Sequence, residues 1–166
     1  MRIIIAAVGR GQKAAADETA AAGAYLKNAE LMGVRLGFGP MALREVEDRG
    51  KRAGQADAAH RKQREGELLL SRIPDGATLV ALDGRGRTQT SEKFAEWLGQ
   101  SRDQGCRNLV FVIGGADGLS DQVIARASWQ LSLGAMTWPH LLVRMMLAEQ
   151  IYRAVTILAN HPYHRS

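Results

Sequence analysis

Three short apolar runs constrain this chain more than anything else in it: residues 2–8, 77–82 and 108–113. Each is aliphatic and often β-branched, and each ends at a glycine or an Asp-Gly pair. Runs of that length and punctuation predict buried strands rather than helices, which need more residues to form. The segments between them read differently. Residues 13–32 are alanine-rich and predict a helix that stops at Gly33. Thr90 or Ser91 caps a second helix, in which Phe94, Trp97, Leu98 and Ser101 fall at helical spacing. Strands that alternate with helices predict the α/β class with a largely parallel sheet.

The weaker signals fill in the rest. Residues 34–38 predict a short second strand, and Gly39-Pro40 breaks the chain. Residues 67–73 form the apolar end of a helix closed by Pro74, and Asp83-Gly84-Arg85-Gly86 predicts a turn. Gly105 ends the helix that Thr90 or Ser91 begins. Ser120 is placed as an N-cap, with Leu119 and Ile124 at hydrophobic-staple spacing. Residues 129–133 predict the last strand. Pro139 then opens a final helix, where its missing N–H costs nothing. The length of 166 residues suits one domain, 1–166, large enough to fold without a metal or disulfide.

Composition excludes some classes. Cys106 is the only cysteine, so no disulfide can form within the chain. No run approaches the roughly 18 apolar residues of a membrane span, and residues 3–8 are too short for a signal-peptide core. The expected location is the cytoplasm. A net charge of +5 permits a polyanionic partner without requiring one. Residues 41–66 hold Arg44, Arg49, Lys51, Arg52, Arg61, Lys62 and Arg64 against Glu45, Glu47, Asp48, Asp57 and Glu65. A solvated helix face accounts for that mixture as readily as an RNA-facing patch.

The motifs point to strand ends. Gly114-Gly115-Ala116-Asp117-Gly118 follows a buried strand directly, where glycines let a ligand approach backbone amides. Its spacing matches neither the dinucleotide fingerprint nor the P-loop, and Asp117 could make only a local turn bond. Open α/β sheets bind ligands beyond the carboxyl ends of their strands, and Leu82, Gly114 and Leu133 all lie at such ends. The final helix carries Leu141, Leu142, Met145, Met146, Ala148, Ile151, Tyr152, Val155 and Leu158, an apolar surface wider than one stripe. A helix of that kind is buried on two sides: one can face the sheet, and the other needs a knot of its own chain or a second subunit, of which the subunit interface is favoured. Glu149 and Arg153 are spaced for an i,i+4 pair, whereas Arg144 has no evident partner and is the better candidate for anion contact. His140, His161 and His164 lack the spacing of a metal site, and no metal is expected. Tyr163, His164 and Arg165 set a stacking face, a titratable ring and a phosphate fork side by side.

Taken together, certain words resemble one family. They are Ala7-Val8-Gly9; Leu82-Asp83-x-x-Gly86 with Thr90-Ser91-Glu92 and Phe94-Ala95; and the stretch from Phe111 through Gly118. Leu131-Ser132-Leu133, Met136-Thr137-x-Pro139-His140, Arg144, Glu149-Gln150-Ile151-Tyr152-Arg153-Ala154 and Tyr163-His164-Arg165 follow. The chain thereby resembles the ribosomal RNA large subunit methyltransferase H family, of the knotted SPOUT class, over essentially its whole length. Residues 36–66 depart from the family pattern, and no functional residue is carried over from them. The resemblance implies a largely parallel sheet with helices on both faces and a C-terminal trefoil knot. It implies a homodimer that methylates N3 of pseudouridine 1915 in helix 69 of 23S rRNA, within the ribosome, using S-adenosylmethionine. The implied cofactor residues are Leu82, Gly114, Leu133, Gly134, Ala135, Met136, Thr137 and Trp138. Tyr163, His164 and Arg165 would order on RNA and hold the target base, with Arg153 and Arg144 on phosphate. Two alternatives stay open: a non-catalytic RNA- or ribosome-binding protein, and an α/β enzyme that binds a nucleotide at the same strand ends.

Overall fold

The computed structural model describes residues 1–9, 16–47 and 57–164. Five strands form one all-parallel sheet: β1 (Arg2–Val8), β2 (Met41–Val46), β3 (Thr78–Arg87), β4 (Asn108–Ile113) and β5 (Trp129–Leu131), in the order β2-β1-β4-β3-β5. The helices are α1 (Ala16–Gly33), α2 (Ala58–Leu70), α3 (Ser91–Asp103), α4 (Asp121–Arg126) and α5 (His140–Leu158). The start expected for α1 at Lys13 lies outside the described residues.

The apolar runs explain the layering. Alternate side chains of a strand point to opposite faces. Ile3, Ile5 and Ala7 of β1 join a core with α1, α3 and α5. Ile4, Ala6 and Val8 join the opposite core with Leu69 of α2 and Val123 of α4. A strand apolar on both faces needs helices on both, and the sheet has them. The caps are where the sequence puts them: Thr90 Oγ1 accepts from Lys93 N at 3.3 Å, and Ser120 Oγ accepts from Val123 N at 3.4 Å.

Two expectations need correction. Residues 34–38 are not a strand. Val34–Leu36 is a 3-10 turn with Val34 63% exposed, and Gly37 and Gly39 take positive φ of 78° and 121°. The second strand is β2 instead, an edge strand that buries Met41 and Val46 and leaves Arg44 to solvent. Nor does the chain turn at Asp83–Gly86. β3 continues to Arg87 with a shift in register, so Leu82 and Arg87 both pair with Leu131. Gly86 permits this, because a Cβ there would lie 2.7 Å from the Gln130 carbonyl. Helix α5 packs against α1 and α3 and joins the same core as the sheet, burying Ala148, Ile151 and Val155, while Leu141, Leu142, Met145, Met146, Tyr152 and Leu158 stay partly exposed.

Candidate functional site

All five strands run the same way, so their carboxyl ends open on one edge of the sheet. A cleft of about 470 Å³ lies there, beyond the ends of β3, β4 and β5. Leu82, Gly114, Leu133, Gly134, Ala135, Met136, Thr137 and Trp138 all line it. Its volume falls within the range of small-molecule sites. Two walls are glycine turns. Gly114 is packed so tightly that a Cβ would meet the Gly118 carbonyl at 2.6 Å. Gly118 N closes the turn onto Gly115 O at 3.1 Å. On the facing wall Ser132 Oγ accepts from Gly134 N at 3.2 Å and donates to Gly134 O at 3.0 Å, which fixes the bend after β5. Met136 (72% exposed) and Trp138 (37%) present apolar surface to solvent at the rim.

Among the described lining residues only Asp83 and His140 titrate. Asp83 accepts from Arg85 N at 2.9 Å, Nε at 3.0 Å and Nη2 at 2.9 Å. Those bonds hold its carboxyl below the usual range. His140 stands at the start of α5, and burial, then the nearby Arg144 charge, push its pKa down. Sequence reasoning placed His140 in a discarded metal reading and at the end of a family word, and gave it no part in the cleft. Its position at a helix start beside the glycine-bounded loop was the usable signal. Among the described residues no group of three or more His, Cys, Asp or Glu is placed to hold a metal. Among them, too, no helix is long and apolar enough to cross a membrane.

A second cavity, of about 500 Å³, lies on the other side of residues 131–134. Helices α1, α3 and α5 build it, with Tyr25, Ser91, Phe94, Met145, Met146 and Glu149 among its lining. The tail docks beside it. The Tyr163 ring meets Tyr152 edge-on at 4.7 Å, and the Arg153 guanidinium sits 4.9 Å from its centre. Tyr163 Oη donates to Glu149 Oε1 at 3.1 Å, and burial followed by that carboxylate pushes its pKa up to about 12. His164 Nε2 lies 2.9 Å from Glu92 Oε1 on α3. Arg165 lies outside those residues.

One candidate residue therefore behaves differently from expectation. Arg144 is not a free anion-binding group: it is 2% exposed. Its Nη1 donates to Glu45 Oε1 at 3.0 Å, and its Nη2 donates to Gly9 O at 2.9 Å and to Val8 O. It ties the first turn of α5 to the ends of β1 and β2. Tyr163 packs on α5 and His164 lies against α3. Arg153 is half-buried and paired with Glu149 as its spacing predicts. Asp117 makes a long-range contact rather than only a local one, accepting from Arg61 Nε at 2.6 Å.

Comparison with known proteins bears on this geometry. A family model described as "Predicted SPOUT methyltransferase" matches residues 1–164. The chain is 51% identical over 166 residues to a ribosomal RNA large subunit methyltransferase H of Rhodospirillum centenum, covering 100% of both chains. It is 49% identical over 166 residues to the protein of the same name from Roseobacter denitrificans, again covering 100% of both. Both matches take in residues 36–66. A probable methylase family protein from Haemophilus influenzae Rd KW20 aligns with a TM-score of 0.48 at 12% identity, covering 99% of this chain and 70% of that one.

Proposed function

This chain belongs to the SPOUT methyltransferase family, among the ribosomal RNA large subunit methyltransferase H proteins, and from that premise we propose that it methylates large-subunit ribosomal RNA with S-adenosylmethionine as donor. The finer target is N3 of pseudouridine 1915 in helix 69 of 23S rRNA, modified on the assembled ribosome in the cytoplasm. The observation that carries the reading is convergence: the eight residues implied for the cofactor all line one cleft at the carboxyl edge of the sheet. The cleft suits a nucleoside bearing an amino-acid arm. Leu82, Leu133 and Val143 give it apolar faces, while the glycines leave backbone donors and acceptors uncovered.

The donor, when bound, supplies a sulfonium methyl group, chemistry that requires no metal and no covalent nucleophile. The chain's task is therefore to orient two reactants, which can be worth many orders of magnitude in rate. The strand-end loops hold the donor. Tyr163 and Arg165 hold the target base, Arg153 contacts phosphate, and a ring nitrogen of His164 takes the N3 proton.

Within one chain the tail sits at the second cavity, across residues 131–134 from the cleft. That separation supports a homodimer in which one subunit holds the donor and the other presents its tail. The C-terminal trefoil knot belongs to the same reading, as does a single domain over 1–166. Ribosomes lacking the modification, incubated with enzyme and labelled donor, test the proposal, with free RNA as the second arm. Transfer to helix 69 is the expected result, and absence of transfer to any RNA overturns the enzymatic reading.

A further inference from the structure

We infer that α2 is a positioning element for the donor cleft, acting on its glycine wall chiefly through Arg61 and Asp117; this rests on the functional reading above. The wall at 114–118 consists of Gly, Gly, Ala, Asp and Gly. Only Asp117 there can make a directional side-chain bond, and it spends that bond on Arg61, 56 residues away in sequence, at 2.6 Å. Three further contacts join the same two segments. The Glu65 carboxylate lies against Gly115, where a Cβ would fall 2.8 Å from Oε2. Gly66 approaches Ser120 so closely that a Cβ would sit 2.0 Å from Oγ, the same oxygen that caps α4. Lys62 Nζ lies 3.9 Å from Asp121 Oδ1. Arg61, Lys62, Glu65 and Gly66 occupy neighbouring positions on one face of α2. That face backs onto 115–121, whereas the front of the turn faces the cleft.

A glycine-rich turn loses more conformational freedom on ordering than any other sequence. A turn left free would be ordered by the ligand, at a cost in affinity. With α2 behind it, the ordering is done during folding. None of Arg61, Lys62, Glu65 or Gly66 lines the cleft, so none is catalytic. Residues 57–66 thus act on the donor site from behind.

Calorimetric titration of the full chain with S-adenosylmethionine tests this, comparing the parent with Arg61→Ala, Arg61→Lys and the charge swap Arg61→Asp with Asp117→Arg. Arg61→Ala should raise the Kd by about three- to tenfold, since ordering costs of this kind are modest. The donor KM should rise with it while kcat and the thermal midpoint hold. The lysine variant and the charge swap should each recover part of the affinity. An unchanged Kd in Arg61→Ala overturns the inference, as does a loss of affinity that merely tracks a falling thermal midpoint. A parent chain that binds no donor overturns the functional reading itself, and the inference falls with it.

Discussion

The two cavities that meet across residues 131–134 are built from different material. The strand-end cleft has walls of exposed backbone, with glycines at 84, 114, 115, 118 and 134 in its lining beside the side chains of Leu82, Leu133 and Val143. The second cavity is made of side chains from α1, α3 and α5, with the tail docked beside it. A backbone-lined site is intolerant of any added atom but indifferent to most nearby side-chain changes. A side-chain-lined site behaves the other way. The difference separates the two halves of the proposed reaction, donor holding and RNA engagement, onto surfaces that fail for different reasons.

Substitutions can break or sharpen that contrast. The largest effect belongs to Arg144, because α5 contributes to both cavities and Arg144 fixes its first turn. Arg144→Met removes the guanidinium's bonds to Glu45 and to the Val8 and Gly9 carbonyls. Removing one member of so buried a group costs about 3 kcal/mol. The thermal midpoint should drop by roughly 6–12 °C, and donor and RNA binding should weaken together. A midpoint that stayed put would mean that the two surfaces do not share this support.

Gly114→Ala should strike the backbone-built cleft alone. Its Cβ would overlap the Gly118 carbonyl, and overpacking of that order costs about 1–3 kcal/mol, which, if it falls on the donor-bound turn, is about five- to 150-fold in donor affinity. RNA binding, read by filter retention, should not change. Tyr163→Ala is the mirror image. Donor Kd should hold, while kcat/KM for ribosomes falls about tenfold, the scale of one lost stacking contact. If donor affinity fell instead, the tail would belong to the cleft and the contrast would collapse.

The smallest effect is a pH dependence. Burial and Arg144 depress the pKa of His140 below its ordinary 6.5. The unfolded chain therefore takes up this proton first as pH falls. The stability due to neutral His140 is present above about 6.5 and is lost as pH drops through the depressed value. Thermal midpoints of the parent should slope downward in that window, and His140→Gln should flatten the slope. Equal slopes would remove His140 from the account.

What could be read from sequence divides along the same line as the cavities. β1, β4, the caps at Thr90 and Ser120 and the glycine wall are local signals, written in consecutive residues. The cleft was legible because strand ends and glycine turns announce themselves. The second cavity was not, because Tyr25, Ser91 and Met145 come from three helices that only folding assembles. Arg144 misled for a related reason: its partner Glu45 is 99 residues away, and helical spacing shows only neighbours. β2 was missed because an edge strand can carry Arg44 and Glu45 at little cost, which erases the apolar signature. Arg61 and Asp117 each looked like ordinary surface charges until the fold set them in contact.

Residues 131–134 are a single sheet of chain with an occupant expected on either face. Whatever factor a guest in one cavity applies to affinity in the other must be returned unchanged in the opposite direction, since such coupling is reciprocal. A donor that tightens the grip on RNA would itself be gripped more tightly once RNA arrives, and release of either would loosen both.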